Sequence, residues 1–317
     1  METPVFIIHG FLESGKTTFI NDTIRDPQFA TAGKLLIIQC EEGEEEFDEP
    51  ALAKRGVSVI TVESEDKLTD EFLASLEIFY KPNMVMVEMN GMWKLTTFLE
   101  LNMPGDWVPA QIITMIDATT IDSYLANMRS IMLEQVKYSD IAIVNRCTDQ
   151  TDKTAIRRAL KPVNRRLQLI YEREDGKDAG PDEPDELPYD ISQPELEITD
   201  DDYGLWYMDA MDRPDQYVGK TVHFLAMAYT SKKLPKGYFV PGRMAMTCCA
   251  DDVAFIGFLS KPPVTVPMDG IRTRGWYRVT AVIEKEYQKE YQGEGPVLRC
   301  TKLETAEEPA DKLVYFN

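Results

Sequence analysis

Histidine is nearly missing from this chain: His9 and His223 are the only two in 317 residues, so there is no histidine-rich metal-binding tract. Basic residues are also short, with 34 Lys and Arg against 54 Asp and Glu, giving a formal charge of −20. That balance excludes nucleic acid as a partner, because phosphate backbones are held by Lys and Arg. It argues equally against anionic membrane surfaces. No apolar run approaches the ~20 residues that a membrane span needs, and the first residues carry no signal-peptide pattern. Direct membrane insertion is therefore not expected, and the expected location is cytoplasmic. The five cysteines have no regular spacing, so they do not read as a disulfide framework.

Against these absences, residues 10–17 read Gly-Phe-Leu-Glu-Ser-Gly-Lys-Thr, a complete phosphate-binding loop. Its setting is right as well. The apolar run Pro4–Ile8 fits a buried strand, and a helix-like stretch starts at Thr17. Gly10 and Gly15 let the backbone curl so that successive N–H groups face phosphate oxygens. Lys16 supplies a point charge to the outer phosphates, the Thr17 hydroxyl suits Mg²⁺, and the helix start adds its positive end. The expected nucleotide-contacting set is Gly10, Glu13, Ser14, Gly15, Lys16, Thr17 and Thr18.

The first 170 or so residues alternate β-rich runs with helical stretches. Expected strands are Val5–Ile8, Leu35–Gln39, Val57–Val62, Met84–Glu88, Gln111–Ile116, Ile141–Asn145 and Leu167–Tyr171. Helices are expected at Lys67–Phe79, Thr120–Leu125 and Asp152–Leu160, which implies an α/β fold with a mostly parallel sheet and helices on both faces. From 173 to 204 Asp, Glu, Pro and Gly dominate, and an acidic linker or mobile loop is expected. From 205 to 317 short strands alternate with turn signals, which suggests a small all-β domain with a lean towards a five-stranded OB-like barrel.

Three further segments carry chemistry. Strand 84–88 ends in Glu88, followed by Gly91: the acid fits a Mg²⁺ partner, and the glycine N–H fits a sensor of the terminal phosphate. The bland alternative is a charged strand end and a turn. Ile141–Asn145 leads into Arg146, Cys147, Thr148 and Asp149, close to an Asn-Lys-x-Asp guanine-reading loop but with Arg for Lys and the acid one residue late. Asn145 and Asp149 are the expected base contacts, and GTP is favoured. The run from Cys40 to Glu46 is either a solvated acidic loop or a hard-cation site through Glu41 and Glu44.

Together these segments resemble the CobW-type P-loop GTPases over residues 3–172. The resemblance rests on Gly10–Thr18, on Glu41-Glu42-Gly43-Glu44, on Glu88 with Gly91, on Ile116-Asp117-Ala118, and on Gln135 before the Asn145 strand. It implies Mg²⁺-dependent hydrolysis of GTP to GDP, with Lys16, Thr17, Glu88 and Gly91 as the catalytic set. It also implies coupling to a metal ion or metal cofactor, with a metalloprotein client and possible homodimers. Two departures stand out: Glu13 replaces a glycine, and the family's Cys-x-Cys-Cys motif is absent, since 57–64 hold no cysteine.

Residues 205–317 resemble the C-terminal domain of YcgQ-type proteins, through Tyr217–Lys220, Phe239–Met246, the Met-Thr-Cys-Cys-Ala-Asp stretch at 246–251, and Trp276–Thr280. That resemblance implies an association with a permease, so a non-hydrolysing, nucleotide-gated regulator of a permease is the alternative function. Cys248 and Cys249 are candidate ligands for a transition metal such as zinc or cobalt; core packing and redox chemistry stay open for them.

Overall fold

The computed structural model describes residues 2–26, 33–182, 186–246 and 253–316. The chain divides into two compact units, residues 1–182 and 183–317.

Unit 1 runs β1 (Thr3–His9), α1 (Lys16–Arg25), β2 (Leu35–Gln39), α2 (Glu49–Ala53), β3 (Val57–Thr61), α3 (Asp70–Tyr80) and β4 (Met84–Glu88). It continues α4 (Leu95–Leu99), β5 (Trp107–Asp117), α5 (Ile121–Asn127), α6 (Arg129–Lys137), β6 (Ile141–Asn145), α7 (Lys153–Leu160) and β7 (Gln168–Tyr171). The seven strands form one sheet in the order β3-β2-β4-β1-β5-β6-β7, and every pairing is parallel. This is the expected doubly covered α/β sheet.

Alternation along the strands explains why both faces are covered. Ile7, Leu36, Ile38, Val85 and Val87 enter one apolar cluster with Leu73 and Phe98, while Ile8, Leu35, Ile37 and Met86 enter another with Ile20 and Ile24. Successive side chains leave a strand on opposite faces, so a run such as Leu-Leu-Ile-Ile needs apolar cover on both. All five residues of β2 are buried. Fully burying a Leu or Ile side chain contributes about 1.5–3 kcal/mol, so truncating the fully buried Leu36 costs about 2–5 kcal/mol. In a parallel sheet every strand ends on the same side, and β1 lies between β4 and β5. The loops after β1, β2, β4, β5 and β6 therefore gather at one edge, where ligands bind in this architecture.

Unit 2 contains β8 (Glu195–Glu197), α8 (Tyr203–Asp212), β9 (Thr221–Tyr229), β10 (Val240–Met246), β11 (Val253–Gly257) and β12 (Ser260–Lys261). The long hairpin β13 (Trp276–Gln288) and β14 (Gly293–Thr305) and the short β15 (Leu313–Val314) complete it. Among the described residues these strands make one sheet of eight rather than the five of the OB-like expectation, in the order β11-β10-β9-β13-β14-β12, with β15 beside β10 and β8 beside β9. An antiparallel bridge from Phe239 to Ser260 also joins β12 to the residue preceding β10.

The strict alternation of β9 sends Val222, Phe224, Ala226 and Ala228 inward. Helix α8 lays Tyr203 and Trp206 against Phe224, and Trp206 against Phe258. Gly204 is needed there, because a Cβ would lie 2.1 Å from the Tyr315 carbonyl oxygen.

The stretch expected as a linker is shared between the units. Residues 173–182 hold to unit 1, where Ala179 N–H donates to the Tyr171 carbonyl and Arg157 pairs with Asp182. Leu196 and Ile198 enter the core of unit 2. A backbone hydrogen bond and an ion pair hold the first part of the stretch, and two apolar residues hold its last.

Candidate functional site

The phosphate loop joins β1 to α1. Gly10 and Gly15 have φ of 140° and 93°, values that a side chain would strain, and a Cβ on Gly10 would lie 2.4 Å from the Met115 carbonyl oxygen. Glu13 stands at φ 61°, in the same left-handed region, where the resembled family has glycine. The departure is thus tolerated at a backbone cost of about 1 kcal/mol. Its carboxylate accepts the Glu44 N–H at 2.8 Å.

Lys16 is 3% exposed, and its ammonium has three partners: the carbonyls of Gly10 at 2.9 Å and Phe11 at 2.8 Å, and the Glu41 carboxylate at 2.6 Å. Thr17 Oγ1, on the first turn of α1, donates at 2.7 Å to Glu88 Oε1 at the end of β4. Glu88 is 2% exposed and its other oxygen, Oε2, has no protein partner. Burial pushes the Glu88 carboxyl up to about 7, against the Thr17 hydrogen bond and the Lys16 charge. An orphaned carboxylate oxygen beside a threonine hydroxyl is an oxygen donor set that fits Mg²⁺.

Gly91 follows on the same edge. Its N–H reaches Glu41 Oε1 at 3.4 Å, and its carbonyl accepts from Gln135 Nε2 at 2.8 Å. The close approach requires glycine: a Cβ would sit 2.5 Å from the Gly10 carbonyl oxygen. Lys16, Thr17, Glu88 and Gly91, expected from sequence as one set, are thus brought together.

The loop after β6 is lashed to the same cradle. Asn145 Nδ2 donates to the Ser14 carbonyl at 2.7 Å, and Arg146 Nη1 donates to the Glu13 carbonyl at 2.9 Å. Arg146 also pairs with Asp117 at the end of β5. Asp149 lies apart from this network: its carboxylate is 86% exposed and pairs with Arg173 at 2.6 Å. Thr18 is exposed on the first turn of α1, and it lines a cavity of about 30 Å³ together with Lys16, Thr17, Glu41, Glu88 and Arg146.

The metal expectations fare differently. Glu41 is engaged by Lys16, Glu44 is exposed, and among the described residues no three His, Cys, Asp or Glu side chains converge as a metal site. Cys248 and Cys249 lie outside the described residues. Cys300 is buried, and burial pushes its thiol up to about 12, as suits a packed side chain.

Sequence reasoning missed two parts of the site. One is the Lys16–Glu41 ion pair; the acidic run was visible, but not its target. The other is His9, fully buried on β1, whose imidazole is held down at about 4 by burial and by the Lys16 charge. Its place one residue before Gly10 was the available signal.

Comparison with known proteins follows the same division. The model of the CobW/HypB/UreG nucleotide-binding domain matches residues 4–171, and that of the DUF1980 C-terminal domain matches residues 176–316. UPF0703 protein YcgQ of Bacillus subtilis is 26% identical over 125 residues, which are 39% of this chain and 42% of that protein. The chain therefore spans about two fifths of the length of that curated relative. Among solved structures, Zn(II)-bound YjiA GTPase from E. coli is 20% identical with a TM-score of 0.39, covering 53% of this chain and 57% of its own. Hydrogenase maturation factor HypB from Archaeoglobus fulgidus is 16% identical with a TM-score of 0.39, covering 56% of this chain and 84% of its own.

Proposed function

The chain belongs to the CobW/HypB/UreG nucleotide-binding family, and from that premise we propose that it is a Mg²⁺-dependent GTP switch acting in the handling of a metal ion or metal cofactor. The observation that carries the reading is the linkage of Lys16, Thr17, Glu88 and Gly91 at one edge of the sheet, through Glu41 and the Thr17–Glu88 bond. Lys16 and the loop amides bind the outer phosphates. Thr17 and Glu88 hold the metal, which when bound neutralises charge on the phosphates. Gly91, pinned through its carbonyl by Gln135, offers its N–H to the terminal phosphate. Catalysis of this kind is positioning and charge neutralisation, and needs no covalent step on the protein.

The base is read by the loop after β6, with Asn145 as its anchor and Asp149 as its acid. Asp149 must leave Arg173 to reach a guanine, so base selection costs one exposed ion pair. The cargo is a transition metal such as zinc or cobalt, with Cys248 and Cys249 as its thiol donors and a permease or metalloprotein as the client.

The test is calorimetric titration of the full chain with GTP, GDP and ATP in Mg²⁺, followed by measurement of phosphate release. Binding of GTP and GDP with ATP ignored is the expected result. Binding without turnover, even with excess client, would instead make the protein a nucleotide-gated module. Metal content as purified, compared with a Cys248→Ser/Cys249→Ser variant, tests the cargo.

A further inference from the structure

The partners of Lys16 differ in kind. Two are carbonyls of its own loop, Gly10 and Phe11, and they travel with it. The third is Glu41, which arrives on the loop after β2, 25 positions away in sequence. An ammonium has three donors, so Lys16 is saturated in this state. Any phosphate that takes the lysine must displace a partner, and Glu41 is the one that can be withdrawn without unmaking the loop.

The second oxygen of Glu41 is placed just as tellingly. Oε2 sits 2.6 Å from the Lys16 ammonium, and Oε1 sits 3.4 Å from the Gly91 N–H. An ammonium from the phosphate loop and a glycine amide after the Glu88 strand are the two donors suited to a terminal phosphate in a site of this chemistry. The carboxylate bridges both, and the cavity left beside them is about 30 Å³.

We infer that Glu41 is a built-in stand-in for the γ-phosphate, and that it determines discrimination between nucleoside triphosphate and diphosphate. The inference rests on the nucleotide reading above and deepens it. A diphosphate fills the cradle of loop amides and reaches Lys16 from that side, so Glu41 Oε1 keeps the Gly91 N–H. A triphosphate brings its outer phosphate to the same two donors. The outer phosphate and the Glu41 carboxylate compete for the same two donor positions, and their like charges repel with Glu88 adjoining, so Glu41 is expelled. Its loop is also fastened by the Glu44 N–H to Glu13, so expulsion of Glu41 loosens the acidic run at 41–46. The acidic segment thereby reports which nucleotide is bound.

The experiment is calorimetry on the full chain and on Glu41→Gln, titrated with Mg²⁺ and either GDP or a non-hydrolysable GTP analogue. The isosteric amide removes the competing charge, so triphosphate affinity is expected to rise on the order of 10-fold or more, the scale of one charge-assisted hydrogen bond, while diphosphate affinity stays within about 3-fold. Equal strengthening of both ligands, or no change in either, overturns the inference while leaving the nucleotide reading intact. Failure of the wild type to bind either ligand removes the nucleotide reading and this inference with it. Should Glu41→Gln not fold, amide hydrogen exchange over 41–46 in the wild type decides between the outcomes. Exchange there should rise with the triphosphate analogue and not with GDP; the same response to both overturns the inference.

Discussion

Lys16 with Glu41 and Glu88 in unit 1, and Asp209 with Arg213, Tyr217 and Tyr189 in unit 2, are both buried charged clusters, yet they are completed to different degrees. In unit 2 the Asp209 carboxylate accepts from Arg213 Nε at 2.8 Å and from the Tyr217 hydroxyl at 2.7 Å. The Tyr189 and Tyr217 hydroxyls lie 2.8 Å apart, which continues the chain of bonds. In unit 1 Glu88 Oε2, Asn145 Oδ1 and the Ser14 hydroxyl are buried without a protein partner. A satisfied network holds a fold together, whereas a half-satisfied one costs free energy and persists where a ligand completes it. The contrast supports reading the Asp209 cluster as scaffold and the Lys16 cluster as the proposed site.

The largest expected effect sharpens the site half of that contrast. Lys16→Ala should weaken nucleotide binding by on the order of 100-fold or more, about 3 kcal/mol, as read by the same calorimetric titration. A variant that binds as tightly as wild type would break the assignment. Asp209→Ala should do the reverse: it leaves Arg213 and the Tyr217 hydroxyl short of an acceptor, costing about 2–3 kcal/mol of stability in urea unfolding, and it leaves nucleotide affinity as it was.

His9 supplies a pH-dependent version. Its folded imidazole titrates at about 4, against 6.5 when exposed, because burial and Lys16 oppose its charge. Between those values the unfolded chain binds the proton and the folded chain does not. Stability present above pH 6.5 is therefore lost as the pH falls towards 4, with about 2 kcal/mol gone by pH 5. Glu88, raised to about 7, acts with the opposite sign over this window in both wild type and His9→Asn, so the readout is the difference between them. From about pH 7 to pH 5 the urea midpoint of His9→Asn should move towards greater stability relative to wild type. An identical shift in both would remove His9 from the account. The smallest effect is at Glu13. Glycine relieves about 1 kcal/mol of left-handed strain and forfeits an exposed bond to Glu44 worth about 0.5 kcal/mol, for a net gain of about 0.5 kcal/mol in thermal unfolding. A loss of stability instead would mean that the Glu13–Glu44 tether outweighs the strain.

Much of unit 1 could be read along the chain. Strands Leu35–Gln39, Met84–Glu88 and Ile141–Asn145 fall where apolar runs bounded by polar residues placed them. Helix α3 begins at Asp70 rather than Lys67, because Thr69 caps it by accepting the Phe72 N–H. Unit 2 was less legible. Helix α8 went unrecognised because Tyr203, Leu205, Trp206, Met208 and Ala210 are all buried, which leaves no polar stripe to mark a helical period. The short β8, β12 and β15 carry too few residues to alternate visibly.

The sequence by itself determined the phosphate loop, the strand ends that carry Glu88 and Asn145, and the division into an α/β unit and a β-rich unit. These rest on local spacing: consecutive amides, a lysine at a set position, apolar runs of strand length. Only the tertiary structure decided what those residues meet. Thr17 finds Glu88 across 71 positions, Gly91 finds Gln135 across 44, and Lys16 finds Glu41 across 25. The reason is physical. Parallel crossovers return every strand in the same direction, so loops far apart in the chain converge at one sheet edge, and the charges there select their partners by distance in space.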